Sequence, residues 1–285
     1  MRKQFKNTVL KLASKDDKIV LVFGDISVYL FNDFQKKYPK RFYNMGICES
    51  TLVSVSAGLR HEGLIPFVHS IAPFVTERAA EQIKVDLVYN DLPANIVTCG
   101  STFDYAWDGP THHAWFDIEI FRTLPNTEIF QPGSDKEVDT LMSKFYKSNN
   151  TSYFRLSDNP HGYNLELKPG KGIEVFNKKS KTTVITCGPL LKNVLPACKD
   201  LDVNLIYFNT IKPLDVSLIK KFIKTKFKII HDSFGFLESI TSKIKCNYDY
   251  LGLPEKFCVS YGKIDDVRKN AGLDIKSIRR FIQKR

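Results

Sequence analysis

The run Ile19-Val20-Leu21-Val22-Phe23, apolar at every position and stopped by Gly24-Asp25, constrains this chain more than any other feature. A strand that is apolar throughout is buried on both faces, which happens in parallel sheets covered by helices on either side. The flanking pattern agrees. Residues 3–15 carry helical apolar spacing (Phe5, Val9, Leu10, Leu12). After Asp25 the chain reads as helix 28–38, a short strand at Phe42-Tyr43, a helix containing Glu49, and a strand from Ile65 to Val68. A long helix from about Phe74 to Asn90 follows, then strand 94–100, helix 115–123, strand 127–130, helix 134–147 and strand 152–156. This alternation predicts a doubly wound α/β domain over residues 1–157, with its functional loops at the C-terminal ends of the strands.

A turn-rich stretch, residues 158–180, is expected to be a linker with one hairpin. Strands 182–187, 203–208 and 227–231, helices 190–199, 215–224 and 236–246, and a last helix near 274–283 predict a second doubly wound α/β domain over 181–285. A length of 285 residues suits two domains.

Composition narrows the function classes. The net charge of +11 comes from short lysine clusters such as Lys36-Lys37 and Lys220-Lys221, without interleaved aromatics, so nucleic-acid binding is not expected. No apolar run approaches the roughly 20 residues a membrane span needs, and the first residues lack a signal-peptide core. A cytoplasmic protein is the expectation. The six cysteines show no Cys-x-x-Cys pair and no histidine at zinc-ligand spacing, so neither a disulfide framework nor a metal site is predicted in this chain.

Two stretches carry candidate chemistry. Glu49 puts a carboxylate at the mouth of an apolar, small-residue run (Thr51, Leu52, Val53, Val55, Ala57, Gly58, Leu59). The unpaired N–H groups at a helix start favour an acid there, while burial works against its charge. The loop 101–113 ends in Asp108-Gly109-Pro110-Thr111-His112-His113, a carboxylate and two imidazoles on a backbone bent by glycine and proline just past a strand end.

Taken in order, Gly24-Asp25, NMGICES at 44–50, SIAPFVTERAAEQI at 70–83, DGPTHHAWFDIEIFRTLPN at 108–126 and QPGS at 131–134 resemble the pyrimidine-binding domain of the transketolase family. Residues 181–285, with TTVITCGPLL, NTIKPLD and GLPEKFCVSYG, resemble its C-terminal domain. The likeness covers nearly the whole chain and is greatest to split transketolases, in which this half is a separate polypeptide.

The resemblance implies thiamine diphosphate as cofactor. Glu49 matches the catalytic glutamate that hydrogen-bonds the aminopyrimidine ring and drives its imino tautomer, and Phe74 the aromatic that packs on its face. Ile71 stands where a second phenylalanine is usual, and Asp25 lies at the cofactor end of the first strand. His112 matches a catalytic histidine that contacts ketose hydroxyls, and Asp108 the acid that reads their stereochemistry. His113, His69 and Arg2 are further substrate-binding candidates. Arg78 and Gln82 are assigned to the subunit interface or the fold, and the C-terminal domain to subunit contacts. The family holds the diphosphate and Mg²⁺ with a Gly-Asp-Gly motif that this chain lacks, so a diphosphate-binding partner subunit and an α2β2 heterotetramer are implied.

Family members that use sugar phosphates hold the phosphate with arginines. Arg2 fits one such position, but Asp158 replaces another, and Gly100 and Tyr29 replace further contacts. The implied activity is ketol transfer from a ketose to a sugar aldehyde or ketone that is unphosphorylated or nucleotide-linked. The alternatives are the β subunit of a 2-oxoacid dehydrogenase or other decarboxylating enzyme, and a non-catalytic partner subunit.

Overall fold

The computed structural model describes residues 1–284 as two sheets, each flanked by helices. In chain order the first sheet takes β1 (Ile19–Phe23), β2 (Phe42–Asn44), β3 (Ile65–Ile71), β4 (Asn95–Cys99), β5 (Thr127–Phe130) and β6 (Thr151–Arg155). The second takes β7 (Ile173–Phe176), β8 (Thr182–Cys187) and β9 (Asn204–Phe208). The chain then returns to the first sheet as β10 (Thr210–Lys212) before β11 (Lys226–Ile230) and β12 (Tyr248–Leu251) complete the second. The first sheet runs β10-β5-β6-β4-β3-β1-β2, all parallel except β10 against β5. The second runs β12-β11-β8-β9-β7, parallel except for the edge strand β7.

Alternate side chains of β1 explain why the whole run is apolar. Leu21 and Phe23 join Phe5, Phe67, Phe130 and Phe154 on one face of the sheet. Val22 joins Leu52, Val68, Ile96 and Phe121 on the other, and that core continues into Ile206, Phe208 and Phe236 of the C-terminal half. Each such side chain contributes roughly 1.5–3 kcal/mol on burial. The shared core fixes the two halves against each other and so fixes what surrounds the strand ends.

Two expectations are corrected. The segment 158–180 forms no hairpin; its one strand, β7, pairs with β9. The long helix expected from Phe74 to Asn90 is broken into Ala72–Thr76, Ala80–Gln82 and a wide π-helical run Ile83–Tyr89. Pro73 sets the start of the first piece, and the Thr76 hydroxyl donates to the Ala72 carbonyl at 2.8 Å, a side-chain bond that competes with the helical ladder. The break turns residues 77–79 back toward Glu49. Among the described residues no helix is long and apolar enough to cross a membrane.

Candidate active site

Glu49 opens the helix Glu49–His61 at the C-terminal edge of the first sheet. The approach is pinned by a reciprocal pair: the Asp25 N–H donates to Asn44 Oδ1 at 3.0 Å and Asn44 Nδ2 donates to Asp25 Oδ1 at 2.9 Å. Asp25 is exposed, in the left-handed region at φ 58°, and its side chain is spent on this turn.

The Glu49 side chain turns inward and is only 1% exposed. Ser70 Oγ, at the end of β3, donates to Oε1 at 3.2 Å, and Arg78 Nη1 pairs with Oε2 at 2.6 Å. Gly24 makes room for this arrangement, because a Cβ there would come within 3.1 Å of Ser70 Oγ. A buried carboxylate needs such partners, since an unpaired charge in a low-dielectric setting is strongly disfavoured.

Arg78 then lies over the ring of half-buried Phe74, its guanidinium carbon 4.6 Å from the centroid. Phe74 meets the His112 ring edge-on at 4.9 Å, and Tyr105 meets the same imidazole at 6.0 Å. The Thr111 hydroxyl sits 2.9 Å from His112 Nδ1, orienting the ring. Ile71 is half-buried at the end of β3, where its Cγ2 and the Tyr105 ring both lie against Gly100. Glu49, Arg78, Phe74, His112 and Tyr105 therefore form one connected group, with Ile71 at its side.

Arg2, His69 and Asp158 form a second, adjoining group. Arg2 grips Asp158 with two nitrogens, at 3.1 and 2.6 Å, and reaches Ser27 Oγ at 3.4 Å. Ser27 Oγ is 3.1 Å from Nε2 of fully buried His69, whose Nδ1 donates to the Val97 carbonyl at 2.7 Å. Burial lowers the His69 pKa to about 4, so the ring is neutral and Nε2 accepts from Ser27. Beneath Asp158, buried Asp104 accepts from the Asp158 N–H at 3.0 Å and from Ser157 Oγ at 2.8 Å. Burial pushes its pKa up to about 6, against the pull of those two donors.

The two histidines of the loop part company. His112 faces Phe74, whereas His113 is 3% exposed, edge-on to Phe103 at 5.0 Å and stacked with Trp115 at 5.7 Å. Among the described residues neither ring nitrogen of His113 has a hydrogen-bond partner, and burial lowers its pKa to about 4. The structure does not bring His113 to the Glu49 group. Asp108 is exposed at the loop tip, beside Gly109 at φ +72°.

Sequence reasoning missed Arg78, Ser70, Tyr105, Ser27 and Asp104. Arg78 had no readable signal, because the break at 77–79 that turns it onto Glu49 does not show in the helical spacing. Ser70 is placed by the parallel register, which sets β3 beside β1 and β4, and Ser27, Asp104 and Tyr105 by the loops that follow those strands.

Similarity to known proteins points the same way. Residues 1–160 match the family described as transketolase, pyrimidine binding domain. One of the subunits of the apulose-4-phosphate transketolase of Phocaeicola vulgatus is 30% identical over 297 residues, covering 97% of this chain and 94% of that protein. The 1-deoxy-D-xylulose-5-phosphate synthase of Cytophaga hutchinsonii is 28% identical over 98% of this chain, which spans 47% of that enzyme. Among solved structures, a split-gene transketolase described as an inactive β4 tetramer superposes with TM-score 0.84 at 24% identity, over 99% of this chain and 96% of that one. Transketolase from Campylobacter jejuni gives 0.83 at 16% identity, over 98% of this chain and 46% of the enzyme. The chain belongs to the transketolase family and is the half of it that carries the pyrimidine-binding domain.

Proposed function

We propose that this chain is the β subunit of a heteromeric, thiamine-diphosphate-dependent transketolase that moves a two-carbon ketol unit from a ketose to a sugar carbonyl acceptor. The observation that carries this reading is the Glu49 carboxylate, 1% exposed at a strand-end edge and joined through Arg78 to the Phe74 ring, which in turn meets the His112 imidazole. A buried acid held by Ser70 from β3 and by half-exposed Arg78, with Phe74 and Ile71 nearby, fits a flat heterocycle with a ring nitrogen to hold once the Arg78 side chain gives way to it.

In this reading Glu49 holds the aminopyrimidine nitrogen, Phe74 and Ile71 line its ring, and Ser70 keeps the carboxylate in plane. Thiamine diphosphate, when bound, supplies the carbon centre that accepts and releases the ketol unit. His112, oriented by Thr111, donates to substrate oxygen as charge develops there, and Asp108 reads substrate hydroxyls. His69 acts through Ser27 on Arg2. The diphosphate and Mg²⁺ fall to a partner subunit, in an α2β2 assembly. Exposed Tyr29, on the short helical turn after β1, and Ile47 and Trp107, on the loops after β2 and β4, support a partner covering this edge.

The acceptor in this proposal carries no phosphate at the Arg2 position. A guanidinium whose fork is filled by Asp158 has little left to offer a phosphate, and Asp158 itself repels one. The Phocaeicola vulgatus relative is named for a sugar phosphate; in this chain the Arg2–Asp158 pair argues for an unphosphorylated or nucleotide-linked sugar. The test is ketol transfer by the reconstituted complex with D-erythrose and with ribose 5-phosphate as acceptors. The reading expects D-erythrose to be used with the higher kcat/KM. Ribose 5-phosphate used several-fold better would overturn the acceptor assignment, and failure to release a two-carbon unit from hydroxypyruvate with any of D-erythrose, ribose 5-phosphate or a nucleotide-linked sugar as acceptor would overturn the ketol-transfer reading.

A further inference from the structure

The irregular segment 252–262, between β12 and the helix Ile264–Asn270, lies across the loop that carries Asp108 and His112. Phe257 stacks on Trp115 with ring centroids 5.7 Å apart and planes at 26°. Tyr261 rests directly on Gly109: a Cβ built there would fall 2.4 Å from Tyr261 Cε1. At the loop's far end Phe234 stacks on Phe116 at 5.5 Å, nearly parallel, and the Phe234 N–H donates to the Trp115 carbonyl at 2.9 Å. The loop's base is tied to β6 by Arg155, whose Nη2 donates to the Thr102 hydroxyl at 3.0 Å and the Ala114 carbonyl at 2.7 Å, while the loop's backbone bonds are local. They join Asp108 N–H to the Tyr105 carbonyl at 3.0 Å and Ala114 N–H to the Thr102 carbonyl at 3.1 Å. The base of the loop is thus bound to the sheet edge, while the tip at 108–110 is braced from outside by a tyrosine of the C-terminal half.

From this geometry we propose that Tyr261 is a positioning residue for substrate recognition, acting through Gly109 to fix the tip that presents Asp108 and His112. This rests on the proposed function only in taking Asp108 and His112 as sugar-contacting groups. Gly109 is needed twice, for its positive φ and because any side chain would displace the Tyr261 ring. Tyr261 is itself 65% exposed, so truncating it removes the brace without opening a core. A group misplaced by about 1 Å at a reacting centre costs up to a hundredfold in rate, and a loosened recognition tip shows first in substrate affinity.

The experiment uses the co-purified complex with the diphosphate-binding partner, hydroxypyruvate as donor probe and D-erythrose as acceptor probe. Tyr261→Ala is expected to raise the acceptor KM about tenfold while kcat changes less than about threefold, with thiamine diphosphate affinity by calorimetry unchanged. Tyr261→Phe, which keeps the ring, restores KM, and Gly109→Ala reproduces the defect. In the chain alone, amide exchange over 105–113 quickens in Tyr261→Ala while the helix 49–61 is unaffected. An acceptor KM within twofold of wild type, or equal losses of KM and cofactor affinity, would overturn the proposal. If the wild-type complex neither binds cofactor nor transfers ketol units, the catalytic reading fails by itself, and unchanged exchange over 105–113 then overturns the brace independently.

Discussion

The Arg78 guanidinium holds the buried Glu49 carboxylate at 2.6 Å, an ion pair in which the acid is 1% exposed and the base 50%. The exposed partner keeps the pair's cost low, because the guanidinium retains part of its hydration while satisfying the acid. Replacing Arg78 with methionine leaves Glu49 buried without its cation. The expected loss is about 1–3 kcal/mol of unfolding free energy in urea, below the value for breaking a fully buried pair. Glu49→Gln in the same background should recover most of it. Strict additivity of the two substitutions would show that the pair does not hold the acid.

Asp158 fills the fork of Arg2. Asp158→Ser should free the guanidinium for a phosphate and raise kcat/KM for ribose 5-phosphate by about tenfold, the worth of one charge-assisted hydrogen bond, with little change for D-erythrose. Equal changes for both acceptors would place Arg2 away from the acceptor.

His69, His113 and His231 all have pKa values near 4 instead of the ordinary 6.5, each chiefly through burial. Between those values the unfolded chain binds protons that the folded chain does not. The stability these groups contribute is therefore complete above pH 6.5 and lost as pH falls toward 4. Asp104, raised to about 6, and Glu77, also raised, both by burial, work in the opposite sense but are two groups against three. Thermal midpoints should fall between pH 6.5 and 4. His113→Phe fills an aromatic pocket whose two ring nitrogens lack partners among the described residues, so it should raise stability by about 1–3 kcal/mol and flatten that fall. An unchanged pH slope in His113→Phe would contradict the buried, neutral assignment.

The fold was legible because continuous apolar strands such as β1 leave few architectures open, and the βα alternation ran in register with the sequence pattern. The strand β10, which leaves the second half to pair with β5, has no local signature. Its three residues gain their partner only from the way the halves dock. At the site, Glu49 is readable as an acid in an unusual setting, whereas Phe74 reads as core on its own and becomes a candidate only through the resemblance to the family. The adjacency of His112 and His113 in sequence concealed that an extended backbone at His113 sends neighbouring side chains to opposite sides of the loop. Arg78 was assigned away from the site because an unbroken helix was expected, and the break at 77–79 is what turns it onto Glu49.

The central claim is that Glu49 holds a cofactor shared with a partner subunit. Calorimetric titration of thiamine diphosphate with Mg²⁺ into the chain alone, the co-purified complex and the Glu49→Ala complex tests it most directly. Binding by the wild-type complex only, with the Glu49→Ala complex failing to bind or binding without turnover, is the predicted result. Binding to the complex with activity that survives Glu49→Ala, or no binding by any of the three, would contradict it.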